Sequence, residues 1–143
     1  MSIETRRTVQ APAALVHDLL TDIAAWRSWS PHVASVEPDR GHVRAGQDLR
    51  VRPWFGPTTR MHVETVTPGA GMTWSTPGPG YVLRYRQEVT PVSQSACEVQ
   101  FRATVDGPAG ALATRVAAPL SALGQRRRLA RLAALAELVA ARS

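Results

Sequence analysis

Tyr81 and Tyr85 are the side chains best suited to chemistry, because each joins an apolar ring to a hydroxyl that needs a partner when buried. With Leu83 and Val89 they fall on one face of an alternating segment, and Arg84, Arg86 and Glu88 fall on the other. Phenols held this way donate to oxygens that gain negative charge in carbonyl chemistry. His62 and Glu64 are the second candidate pair, two residues apart on another alternating segment. Facing inward they would be an acid and a base within reach of one ligand. Their alternation sets them opposite Met61 and Val63, hence outward, unless a bulge reverses the register.

Other chemistries are closed. His17, His32, His42 and His62 show no metal spacing, and no cysteine or acidic cluster completes a site, so neither metal nor cofactor is expected. All 17 basic residues are arginine, so no side chain can form a Schiff base. No nucleophile-elbow sequence is present, and Gly78-Pro79-Gly80 is a turn with no nucleotide fingerprint around it. The net charge of +6 is spread along the chain except at Arg126, Arg127, Arg128 and Arg131. Without a basic stripe beside stacking aromatics, nucleic acid is not an expected partner. The arginine cluster reads as a solvated helix face; its other reading is a contact for anionic lipid or a carrier protein. Arginines at the rim of a site could also hold a ligand carboxylate.

Elements must position these groups. A chain of 143 residues builds one sizeable core and is read as one domain, 1–143. The opening residues lack the apolar stretch of a signal peptide, and no apolar run approaches a membrane span; with the lone Cys97, this predicts a cytoplasmic protein. Residues 2–10 predict a strand with Ile3, Thr5 and Val9 on one face. Pro12 opens a helix over Ala13 to Ile23, and a short aromatic segment, Trp26 to Pro31, follows. Strands are predicted at Val33–Glu37, Asp48–Pro53, Arg60–Thr67, Met72–Ser75, from Tyr81 to Val89, and from Cys97 to Val105. Tight turns between them require an antiparallel sheet, wet on one face. The covering element is a helix from Pro108 onward. Leu112, Val116, Leu120 and Leu123 form its first stripe; Leu129, Leu132, Ala136 and Val139 form a second, rotated by about half a turn. Pro119 and Gly124 predict a kink or break between the two.

This order of elements resembles the helix-grip fold. The residues that carry the likeness are Ala11-Pro12-Ala13-Ala14-Leu15-Val16, Leu19 to Trp26, Trp29-Ser30-Pro31, Val66-Thr67-Pro68-Gly69 through Trp74, and Val105-Asp106-Gly107-Pro108. The chain is similar to polyketide cyclase/dehydrase-type members of the superfamily that holds START domains and the major birch-pollen allergen. The resemblance implies an α+β architecture: a curved antiparallel sheet of about seven strands around a long C-terminal helix, with two short helices between strands 1 and 2. It also implies a cavity between sheet and helix.

Inward-facing residues would line that cavity. Trp29 lies in the short aromatic segment and Val33 just after it, and Val51, Met61, Val63, Met72 and Trp74 come from the middle strands. Tyr81, Leu83, Tyr85 and Phe101 would add the far wall, and Leu112, Val116 and Leu120 the helix. Trp26 is read as core, Trp74 equally as core or ligand wall, and Trp54 and Phe55 as a lid over the mouth. The function expected is binding of a hydrophobic small molecule, a lipid, polyketide or similar metabolite, as carrier or sensor. The alternative is a cyclase or dehydratase acting on a poly-β-ketone chain, with Tyr81, Tyr85 or His62 as catalytic candidates. Aromatase/cyclase relatives carry an inward Tyr and an inward Arg where this chain has Val33 and Val66, which counts against the classical aromatic cyclisation.

Overall fold

Alternation becomes strand wherever the sequence carries it. The computed structural model describes residues 2–142; within its last helix the side chains of 113–114 and 116–121 lie outside the described residues, Val116 and Leu120 among them. The strands are β1 (Ser2–Val9), β2 (Val33–Glu37), β3 (Asp48–Pro53), β4 (Thr59–Thr67), β5 (Gly71–Gly78), β6 (Tyr81–Pro91) and β7 (Cys97–Asp106). They form one sheet in the order β1-β7-β6-β5-β4-β3-β2, every neighbour antiparallel.

β1 and β2 lie at opposite edges, so the chain must cross the sheet between them. It does so through α1 (Ala13–Thr21), a 3-10 turn (Ile23–Ala25) and α2 (Trp26–Trp29). The first helix stops before Ile23 because Asp22 turns extended and caps the next turn, its carboxylate accepting from the Ala24 N–H. The last helix, α3 (Gly110–Ala141), runs through Pro119 and Gly124 without a break and lies against β1 and β7. This is the helix-grip arrangement, α+β in class. No helix among the described residues is long and apolar enough to cross a membrane.

An unbroken helix settles which stripe faces inward. At about 100° per residue, the Leu112 stripe and the Leu129 stripe point in nearly opposite directions. The second wins: Leu129, Leu132, Ala133 and Ala136 are buried against the sheet, whereas Leu112 is 68% exposed and Leu123 is exposed too. The expectation that Leu112 faces a cavity is therefore corrected. The alanines let α3 approach closely enough to close a core with Val9, Val16, Leu20, Val99 and Phe101.

Candidate functional site

Below the second turn of the helical crossing, two indoles are fixed by their own N–H groups. Trp26 Nε1 donates to the Leu20 carbonyl at 2.9 Å, and Trp29 Nε1 donates to the Leu19 carbonyl at 3.2 Å. Both carbonyls belong to the last turn of α1, where helical partners run out. The indoles thus satisfy the helix end and present apolar ring surface to the interior. Opposite them, Trp74 on β5 and Tyr85 on β6 are direct cross-strand partners, stacked with centroids 4.2 Å apart and planes 18° from parallel.

These rings border a half-open cavity of about 110 Å³, completed by Ser30, His32, Val33, Val51, Met61, Gln87 and Arg128. Arg128 reaches it from α3. Its guanidinium carbon lies 5.3 Å from the Trp29 ring centroid and 5.6 Å from that of Phe101, in cation–π range. Its Nε is shut off from solvent and has no hydrogen-bond partner. Burial pushes the Arg128 pKa below the usual guanidinium value, the nearby Tyr85 working weakly against that, and the side chain still remains charged. Burial likewise raises the Tyr85 phenol above its ordinary value, so it stays a protonated donor, although Arg128 pulls the other way. His32 is held low, first by burial and then by the Arg128 charge, and is a neutral imidazole at pH 7. The cavity therefore combines a half-buried cation and a neutral phenol with a neutral imidazole at its edge. It can bind a planar apolar body, donate to its oxygens and stabilise negative charge on them.

The opposite face of the sheet carries ion pairs instead. His62 Nδ1 lies 2.9 Å from Asp48, which also pairs with Arg60, and Glu64 pairs with Arg84 at 2.7 Å. His62 and Glu64 are thus outward and engaged separately. A bulge does occur in β4, between Val63 and Thr65, one residue too late to turn His62 inward. A larger hollow of about 450 Å³ on that face is lined in part by Glu64, Arg84, Arg86 and Arg102, whose charges are already matched there: Glu64 pairs with Arg84, Arg86 with Glu88 and Arg102 with Glu4. The candidate site is the smaller inner cavity, where the Arg128 charge has no acidic partner among the described residues.

Of the residues expected to line a cavity, the structure brings together Trp29, Val33, Val51, Met61, Trp74 and Tyr85. Val63, Met72 and Phe101 are buried core beside it, and Tyr81 and Leu83 are half-buried further along β6. Trp54 and Phe55 are 64% and 94% exposed in the β3–β4 loop, and neither lines the inner cavity. Val66 is packed partly against the core, away from the cavity. The arginine cluster divides: Arg126, Arg127 and Arg131 face outward as read, and Arg128 turns in.

Trp26, Ser30, His32, Gln87 and Arg128 were not foreseen as lining. Two of them had a signal. Gln87 continues the odd-numbered face of Tyr81, Leu83 and Tyr85, and Arg128 stands four residues before Leu132 and three after the buried Gln125, on the inward side of α3.

Comparison with known proteins agrees with the geometry. The family model described as polyketide cyclase/dehydrase and lipid transport matches residues 1–137. No curated protein matches the chain. A protein from Helicobacter pylori, jhp0584, superposes with a TM-score of 0.78 at 17% identity, over 95% of this chain and 88% of that one. BexL, a di-domain ARO/CYC from the BE-7585A biosynthetic pathway, gives 0.74 at 24% identity, over 97% of this chain and 47% of BexL. DynU16, from the dynemicin biosynthetic locus, gives 0.71 at 19%, over 92% of this chain and 45% of DynU16. The chain spans about half the length of the last two. These likenesses show the fold. Because the family match runs through the sheet, the crossing helices and the cavity-bearing part of α3 alike, the chain belongs to the polyketide cyclase/dehydrase and lipid transport family.

Proposed function

We propose that this chain binds a predominantly apolar small molecule in the cavity between the sheet and α3, as a carrier or sensor. The observation that carries the reading is the lining itself: three indoles and a phenol around a few convergent polar groups. Its volume of about 110 Å³ suits one ring or the end of a chain, since a dry cavity of roughly 150 Å³ holds benzene. A longer ligand would place only its head there.

A second reading, a cyclase or dehydratase on a ketone-bearing chain, is favoured by Tyr85 and Arg128. A protonated phenol beside a fixed cation can polarise a carbonyl and hold the enolate that follows. BexL is named as an ARO/CYC, which supports this reading by family. The substitutions at Val33 and Val66 weigh against it, so binding is placed first.

Native mass spectrometry of protein purified from its own host tests both. The expected result is an added mass that disappears on denaturation and proves to be an apolar organic molecule. A ring-closed product formed from an added open-chain ketone would move the conclusion to the second reading. An empty protein whose tryptophan emission and melting temperature ignore a panel of apolar aromatics would overturn the first.

A further inference from the structure

Arg128 has more to say about the ligand than the walls do, given that the cavity is a binding site. A guanidinium carries five N–H donors in its plane, and ring faces satisfy none of them. Trp29 and Phe101 sit near its carbon, while Nε is enclosed without a partner. Among the described residues no carboxylate lies within ion-pair distance of Arg128. Glu4, Asp48, Glu64, Glu88, Glu98 and Asp106 are matched by other arginines or by a histidine. The other polar groups of the cavity wall, Ser30, His32, Tyr85 and Gln87, are neutral.

A half-buried fork of donors, its Nε shut off from solvent and with no acidic partner of its own, fits one complement well, a planar pair of anionic oxygens. We propose that Arg128 receives a carboxylate, so that the ligand is an apolar or aromatic acid bound head-first, its body among Trp26, Trp29 and Trp74. An uncharged ligand would leave the cation unmatched, and a basic one would be repelled. The same site therefore selects by charge at its base and by shape along its walls.

The test uses a matched one-ring pair, benzoate and benzamide, titrated into the intact protein at pH 7 with tryptophan emission as the readout. The acid should bind at least about tenfold more tightly than the amide. Arg128→Met should bring the acid down to the level of the amide. Arg127→Met, an exposed neighbour on the same helix, should leave the preference unchanged and so removes general attraction to a basic protein as the cause. Melting by circular dichroism checks that Arg128→Met is folded. Arg128→Lys keeps the charge without the fork, is expected to give an intermediate preference, and replaces the Met variant should that one not fold. Equal binding of acid and amide, or a preference that survives loss of the guanidinium, would overturn the carboxylate assignment and leave the cavity reading standing. Failure of both compounds to bind would remove the cavity reading and this inference with it.

Discussion

At the scale of single residues, Arg128 sets stability against binding. Holding the half-buried Arg128 with its Nε enclosed and without a partner costs about 1–3 kcal/mol. Contacts with Trp29 and Phe101 return about 1–2 kcal/mol of that. Arg128→Met should therefore raise the melting temperature of the ligand-free protein by a degree or a few, corresponding to about 1 kcal/mol, measured by scanning calorimetry. A purely structural arginine would give a lower melting temperature. Reading Arg128 from sequence failed for a definite reason. Three of the four clustered arginines do face solvent, and composition describes the group while helical phase describes the member. His62 was placed correctly because its strand neighbours Met61 and Val63 fix the face, and the bulge that could have inverted it falls beyond it.

At the scale of elements, strands were more legible than helices. Period-two alternation located β2 and β3 to the residue and placed β4, β6 and β7 within a residue or two, since a strand shows its inner face directly in every second side chain. In α3 two apolar stripes compete, and only the unbroken backbone through Pro119 and Gly124 decides between them. The loop aromatics Trp54 and Phe55 misled for a related reason, because hydrophobicity alone does not say what is near enough to cover. The junction from β7 to α3 offers an element-scale test. Gly107 has φ of +113°, and a Cβ there would sit 2.7 Å from the Gly80 carbonyl oxygen. Gly107→Ala should destabilise the protein by about 1–3 kcal/mol, seen as a lower urea midpoint with an unchanged slope. An unshifted midpoint would mean that this turn does not constrain the start of α3.

The whole molecule responds to pH through two groups at the cavity and one ion-paired carboxylate on the outer face. His32 has a folded pKa below its ordinary value, so the unfolded chain takes up a proton more readily. Stability is then present above the ordinary histidine range and falls as the solution is acidified through it. Asp48, held low first by the hydrogen bond from Arg60 and then by His62, adds a further loss at more acid pH. Tyr85 acts with opposite sign. Its folded pKa is raised, so the unfolded chain gives up the proton first, and stability falls as pH rises past the ordinary tyrosine range. Urea midpoints measured across pH should thus form a plateau with a shoulder on each side. Tyr85→Phe should flatten the alkaline shoulder and His32→Asn the first part of the acid one. Shoulders unchanged in both variants would mean that neither group loses its water on folding.

The stacked pair of Trp74 and Tyr85 has an optical consequence. Two chromophores with centroids 4.2 Å apart, rigidly held across neighbouring strands, couple their electronic transitions and pass excitation from phenol to indole. The near-ultraviolet dichroism of this protein is weighted accordingly toward the cavity wall, whereas the exposed Trp54 contributes a weak, averaged background. The molecule carries its own gauge of occupancy, one that needs no label and reads the chamber from inside.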